Sequence, residues 1–236
     1  MTRYRSETVA TAFWERAGGR AQFGTPVDIE RAAARSLPVA VQRITGLNTG
    51  IVKNFLSRIG ANPWLDETPR ALRGCLVADA GKALVFVDGD DSEEEQRMTI
   101  AHEIAHFLLH YLKPREDAES AFGPGILAVL DRTRPAVPGE RLSSALRNIS
   151  IEPFRHAMSR GQPSYAYAVR MMEDEADDLA IELIAPWRQL QGLRGADPGL
   201  LRERFGLPAA VATRLSTIIT PVKTSAGVLG LLGARK

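Results

Sequence analysis

The stretch that decides the fold is Arg97-Met98-Thr99-Ile100-Ala101-His102-Glu103-Ile104-Ala105-His106-Phe107-Leu108-Leu109-His110-Tyr111-Leu112. Its apolar residues recur at helical spacing. With Met98 at zero angle, Ile100, Ala101, Ile104, Ala105, Phe107, Leu108, Leu109 and Leu112 cover an arc of roughly 200°. His102, Glu103, His106 and His110 share the remaining strip. A helix apolar around so much of its circumference belongs deep in a core, so its one polar strip is expected to line an internal cleft. His102 and His106 lie four residues apart, about 40° around the helix on successive turns, and both imidazoles can reach one metal ion. Glu103, about 100° from His102, suits a proton acceptor for an attacking water. The bland reading is a pair of ordinary histidines on an amphipathic helix; it leaves the spacing and the intervening Glu unexplained. His110 stands eight residues after His102, at the wrong rotation and height for a ligand. The extended pattern HExxHxxGxxH would require Gly and His where Leu109 and Leu112 stand. His110 is therefore expected to support the site or to lie at the surface.

Working outward, Ser92 and Glu95 have capping-box spacing, and the acidic run from Asp88 to Glu95 favours a helix start there. Upstream, the apolar runs Leu72–Val77 and Ala83–Val87 flank Asp79-Ala80-Gly81-Lys82, which is hairpin chemistry, and residues 39–44 read as a third short strand. Helices are expected over residues 6–17, stopped by Gly18-Gly19, and over residues 48–59. Between them, Thr25 as N-cap and Pro26 at the first helical position predict a short helix running to Arg35. Residues 113–163 are rich in Pro and Gly and read as irregular, with helical patches near 141–147 and 151–159. A second long helix spans about 164–184 and stops before Pro186, and a basic C-terminal part contains one more helical pair. The expected fold class is α+β: a small, mostly antiparallel sheet of about three strands packed on a helical core, with both metal motifs facing one cleft and a C-terminal helical pair.

A catalytic metal needs a third protein ligand and one open position. The candidates cluster in Glu173-Asp174-Glu175-Ala176-Asp177-Asp178. On that helix Met172, Ala176, Leu179, Ala180, Leu183 and Ile184 form the apolar stripe, and Glu173 projects within it, between Ala180 and Ile184. A carboxylate in a buried stripe is costly unless it is paired or binds metal, which singles out Glu173. Asp177, one turn later, can accept a hydrogen bond from a ligating imidazole. Asp174, Glu175, Asp178 and Glu182 point away from the stripe and read as a solvated face.

Composition narrows the class of protein. The chain has 236 residues, 44% of them apolar and 25% charged, with a formal charge of +2. That balance argues against a dedicated nucleic-acid coat or a polybasic membrane binder. A single cysteine, Cys75, excludes an internal disulfide framework and a cysteine-based zinc ribbon, and is expected to be a small core residue. No segment reaches the roughly 18–20 uninterrupted apolar residues of a membrane span, and the charged first twenty residues contain no signal-peptide core. A cytoplasmic location is the expectation.

With these motifs in place, the sequence resembles the ImmA/IrrE family of HExxH metallopeptidases. The matching segments are RMTIAHEIAHFLLH at 97–110 and EDEADDLAIELIAP at 173–186, with Glu173, Ala176, Asp177 and Pro186 at the family's second motif. Residues 25–41 resemble its N-terminal helix and strand, and residues 201–216 its C-terminal helical pair. The connection between the two motifs is longer than the family pattern. The resemblance implies three units: an N-terminal helical extension at 1–24, a metallopeptidase domain at 25–190 with an insertion at 113–163, and a C-terminal helix-turn-helix-like segment and tail at 191–236. It also implies a gluzincin-like site, with Zn²⁺ on His102, His106 and Glu173 and with Glu103 as the catalytic base. The implied function is a cytoplasmic zinc endopeptidase that cleaves a helix-turn-helix repressor or a related transcription regulator.

Two other readings compete. In the first, the metal site is structural and the protein regulates a transcription factor or nucleic-acid partner by contact; Glu103, which a structural site does not need, argues against it. In the second, residues 201–216 bind DNA through Arg202, Arg204 and Arg214. A single short basic pair is a weak signal for that, and a packing role is preferred. Tyr165 or Tyr167 as an oxyanion donor, and His156 as a ligand, rank below ordinary structural roles.

Overall fold

The protein is described by a computed structural model over residues 3–60, 69–147, 158–159 and 167–220. Helix α1 (Arg3–Ala17) ends at Gly18-Gly19, the double glycine read as its stop. Helix α2 (Ile29–Ser36) begins later than the Thr25-Pro26 pattern predicts. Its cap is Asp28, whose carboxylate accepts the Arg31 N–H at 3.0 Å. A side-chain acceptor three residues ahead of an unsatisfied backbone donor defines the helix start, and Asp28 supplies it where Thr25 does not. Strand β1 (Val39–Ile44) follows, then α3 (Thr49–Arg58), capped by the Asn48 side chain accepting from Ile51 N–H at 3.1 Å.

Strands β2 (Leu72–Asp79) and β3 (Lys82–Asp88) form the expected hairpin. Helix α4 (Glu93–His106) starts at Ser92, whose hydroxyl accepts from Glu95 N–H at 3.3 Å. It does not stop at residue 112. A π-helical stretch (Phe107–Leu112) leads directly into α5 (Lys113–Phe122), so the first part of the segment read as irregular is helix. Pro114 explains both the expectation and its failure. Proline has no N–H to offer and its ring collides with the carbonyl four residues back, here that of His110, which normally ends or kinks a helix. The wide turn, closed by Lys113 N–H donating to the Leu108 carbonyl five residues back, places Pro114 in the first turn of α5.

Helices α6 (Leu127–Leu130) and α7 (Pro138–Arg147) follow; α7 contains the predicted patch at 141–147. Of the patch at 151–159, the described residues are Met158–Ser159, and they form strand β4. Helix α8 (Tyr167–Ile184) carries the second motif, and α9 (Trp187–Gln191), α10 (Pro198–Phe205) and α11 (Ala209–Ile219) complete the described chain.

The sheet has strand order β1-β3-β2-β4. Two of its pairings, β2–β3 and β2–β4, are antiparallel, and β1–β3 is parallel. Its two faces are covered differently, as alternation along a strand requires. Leu76, Val85 and Val87 join the main core with α1, α2, α4 and α8, while Cys75 and Phe86 pack with Val52 and Leu56 of α3 on the other side. The α4–α8 pair is the heart of the main core: Ala101, Ile104 and Ala105 are fully buried, as are Ala176, Leu179, Ala180 and Leu183. Alanines on both helices let the backbones approach closely, and this sets the distance across which groups on the two helices can meet.

The C-terminal pair is an internal packing element. Leu201, Phe205 and Leu215 are buried, and Arg202 is engaged by Glu94 of the first α4 turn at 3.0 and 3.1 Å. The α10–α11 turn is Gly206, at φ 61°, with its carbonyl accepting from Arg97 at 3.1 Å. A Cβ there would lie 2.8 Å from Pro26 Cβ and 2.9 Å from Arg97 Cζ. Gly206→Ala combines a left-handed backbone penalty with a clash. Unfolding by denaturant is expected to show a loss of about 2 kcal/mol or more, and an unchanged midpoint would show that the turn relaxes.

Candidate metal centre

Helix α4 presents His102 and His106 one turn apart, and α8, packed against it, presents Glu173 and Asp177 one turn apart. The Nε2 atoms of His102 and His106 face each other at 2.9 Å. Glu173 Oε2 lies 3.3 Å from the first and 3.7 Å from the second. The three donor atoms all fall within 4.8 Å of one another. Both rings are buried, whereas the Glu173 side chain is 30% exposed and stands at the rim of the apolar stripe. Asp177 Oδ1 is 2.9 Å from His102 Nδ1, on the far side of that ring from Glu173.

The outer hydrogen bonds assign the tautomers. Asp177 can only accept, so His102 donates from Nδ1 and keeps a lone pair on Nε2. His110 Nε2 lies 3.2 Å from Glu175 Oε2, so His110 donates there and its Nδ1 accepts. That Nδ1 is 3.0 Å from His106 Nδ1, which therefore donates, leaving His106 Nε2 with a lone pair as well. Two lone pairs facing each other at 2.9 Å need a positive centre between them, a proton or a metal ion. The protonation balance expresses the same demand. Burial lowers the His102 pKa, but hydrogen bonds to Asp177 and Glu173 outweigh it and raise the value to about 9. Burial lowers His106 to about 4. Without metal, one proton sits at this point; two imidazoles and a carboxylate meeting there also form the donor set of a metal site with an open position.

Glu103 is fully buried against β2, and burial raises its pKa to about 8. The strand makes room for it through Gly74, where a Cβ would lie 2.7 Å from Glu103 Oε1 and 2.5 Å from Thr99 Cγ2. Sequence reading passed over Gly74, although a lone glycine inside an otherwise apolar strand is the available signal for such a close approach. Glu175 is a correction. The helical wheel put it on the solvated side, yet its side chain is 19% exposed, with Oε1 3.5 Å from Arg5 of α1. Helix α1 packs along that side of α8 and covers it. Glu182 likewise accepts the Trp187 N–H at 3.0 Å, whereas Asp174 and Asp178 are exposed as expected. Tyr167 is 72% exposed at the start of α8; Tyr165 and His156 lie outside the described residues.

Residues 68–125 match the family model of the IrrE N-terminal-like domain of M78 peptidases. Over that segment the chain is similar to the ImmA/IrrE family. The matched segment spans β2, β3, α4 and α5, so it contains His102, Glu103 and His106 but ends well before Glu173. This match supports a metallopeptidase kind of function with a protein substrate, and the His102–His106–Glu173 cluster supports a bound metal. No curated protein matches the chain. Among the described residues, no helix is long and apolar enough to cross a membrane.

The contact between Gly74 and Glu103 yields a prediction. Gly74→Ala keeps a backbone conformation open to any residue but pushes a methyl group into the Glu103 carboxylate. Peptide cleavage is expected to fall at least tenfold, with metal content unchanged by elemental analysis, because the ligands are untouched. Wild-type activity in a folded Gly74→Ala protein would show that the carboxylate has room elsewhere.

Proposed function

We propose that this protein is a zinc-dependent endopeptidase of the cytoplasm that cleaves a helix-turn-helix repressor or a related transcription regulator. One observation carries the catalytic part of this reading: the two buried imidazoles of α4 and the Glu173 carboxylate of α8 converge on one point, and α4 also carries the buried Glu103. His102, His106 and Glu173 would hold Zn²⁺, and Asp177 would fix the His102 ring by accepting from Nδ1. In this donor set Zn²⁺ would supply Lewis acidity. Glu103 would take the proton from the attacking water and return it to the leaving amine. Burial raises its pKa to about 8 in the metal-free fold, and a divalent cation beside it would lower that value and favour the carboxylate that accepts the proton. A cavity of about 290 Å³ lies between β2, α4, α8 and α11 on the Asp177 side of the His102 ring, with Arg73, Thr99, Asp177 and Arg214 among its walls. The regulator substrate rests on family resemblance.

Glu103→Gln tests the role of the base. The amide is nearly isosteric but cannot accept the proton, so zinc content and circular dichroism should match wild type while cleavage falls by about 10²-fold or more. Candidate regulators, beginning with any encoded beside the gene, serve as substrates, and cleavage is read by mass spectrometry. Retained cleavage by zinc-loaded Glu103→Gln would remove the peptidase reading as stated.

Metal uptake should also depend on pH in a definite direction. The His102 pKa is raised to about 9 in the metal-free fold, so at neutral pH zinc must displace that proton. His106, held to about 4, is already neutral there. The apparent zinc affinity should therefore weaken about tenfold per pH unit as pH falls from 8 to 5, and more steeply as His106 protonates. Chelator competition across this range measures the slope; a flat profile would contradict a proton held at His102.

A further inference from the structure

We propose that His110 and Glu175 form a positioning relay for the metal ligand His106. Glu175 accepts from His110 Nε2, His110 Nδ1 accepts from His106 Nδ1, and His106 is thereby held in the tautomer that turns the Nε2 lone pair toward the metal. The inference rests on the metal site proposed above and adds two residues that carry no metal themselves.

The distances describe an unbroken line: 3.2 Å from Glu175 Oε2 to His110 Nε2, then 3.0 Å from His110 Nδ1 to His106 Nδ1. Both nitrogens of His110 are engaged, and its side chain is 9% exposed. A carboxylate at the outer end decides the direction of every bond, because it can only accept. His102 receives the same service directly from Asp177. On the His106 side the anion stands one ring further away, so the acceptor reaches the ligand without a further negative charge beside Glu173 and Glu103. Arg5, half exposed and 3.5 Å from Glu175, adds little to the pair.

The backbone is arranged for this contact. In a regular α-helix His110 would be rotated about 40° from His106. It lies instead in the π-helical stretch, where each residue advances through a smaller angle and the ring four places on stands more nearly over the one below. Pro114 favours that wide turn by excluding the regular hydrogen bond to the His110 carbonyl. On the α8 side, α1 covers Glu175 and keeps the outer hydrogen bond away from bulk water.

The test compares two replacements of His110 that each keep half of the imidazole. His110→Asn places an amide oxygen near the former Nδ1 and can still accept from His106. His110→Gln reaches toward Glu175 but leaves the His106 donor unmatched. Zinc dissociation constants are measured by chelator competition on the full chain, with circular dichroism to confirm folding. His110→Gln is expected to weaken binding by about 10–100-fold, with His110→Asn within a few-fold of wild type. A packing role alone would not separate the two variants. Equal losses in both, or wild-type affinity in His110→Gln, would overturn the relay. Glu175→Ala, with Gln as its rescue because the amide oxygen still accepts, gives a second readout should the Gln variant at 110 not fold; wild-type affinity in Glu175→Ala would also overturn the relay. A wild-type protein that takes up no zinc would instead overturn the metal centre and the relay with it.

Discussion

Two buried imidazoles turn their lone pairs toward each other across 2.9 Å, and the surrounding structure is organised around that contact. Left to themselves the rings would rotate apart or exchange tautomers. The outer acceptors prevent this: Asp177 holds one Nδ1 and His110 the other. Helix α8 must lie close enough to α4 for Asp177 and Glu173 to reach the rings, and the alanines at 101, 105, 176 and 180 permit that spacing. Gly74 does for the sheet what these alanines do for the helices, letting β2 approach the helix where Glu103 is buried.

The site concentrates negative charge in a poorly solvated place. Glu103 is fully buried and Glu173 partly so, and burying carboxylates without positive partners is unfavourable. Burial raises the pKa of Glu103, and hydrogen bonds to Asp177 and Glu173 outweigh burial to raise that of His102, so both groups hold protons longer than they would in water. A divalent cation would satisfy the same requirement more completely. The proposed hydrolysis and metal binding would draw on one arrangement, in which the protein accepts a local cost for a site that favours positive charge. The apolar stripes of α4 and α8 and the packed faces of the sheet supply the stability that offsets it.

The parts of the fold that could be read in the chain are those with a local cause. Ser92 and Asn48 announce helix starts because their side chains satisfy nearby backbone donors, and Gly18-Gly19 ends a helix because the chain turns there. The HExxH spacing needs only helical geometry to place two rings on one face. The readings that failed had competitors further along the chain. Thr25-Pro26 resembles a helix start, but Asp28 caps α2. Pro114 suggests a stop, but a wide turn absorbs it and the helix continues.

The sequence by itself determined which residues could hold a metal and on which helices they ride, because spacing of 3.6 residues per turn and an apolar stripe are properties of a segment. It also singled out Glu173 over Glu175 and paired Asp177 with an imidazole on the same grounds. The tertiary structure decided what each polar side of a helix faces. Glu175 looks solvated on a wheel because a wheel contains no neighbours; α1, more than 150 positions earlier, covers it and turns it toward His110. The use of Gly74 was equally invisible, since the space it leaves is filled by Glu103 of another element. Contacts between distant segments have no periodicity in the chain, and they settle which of its charged groups touch the site.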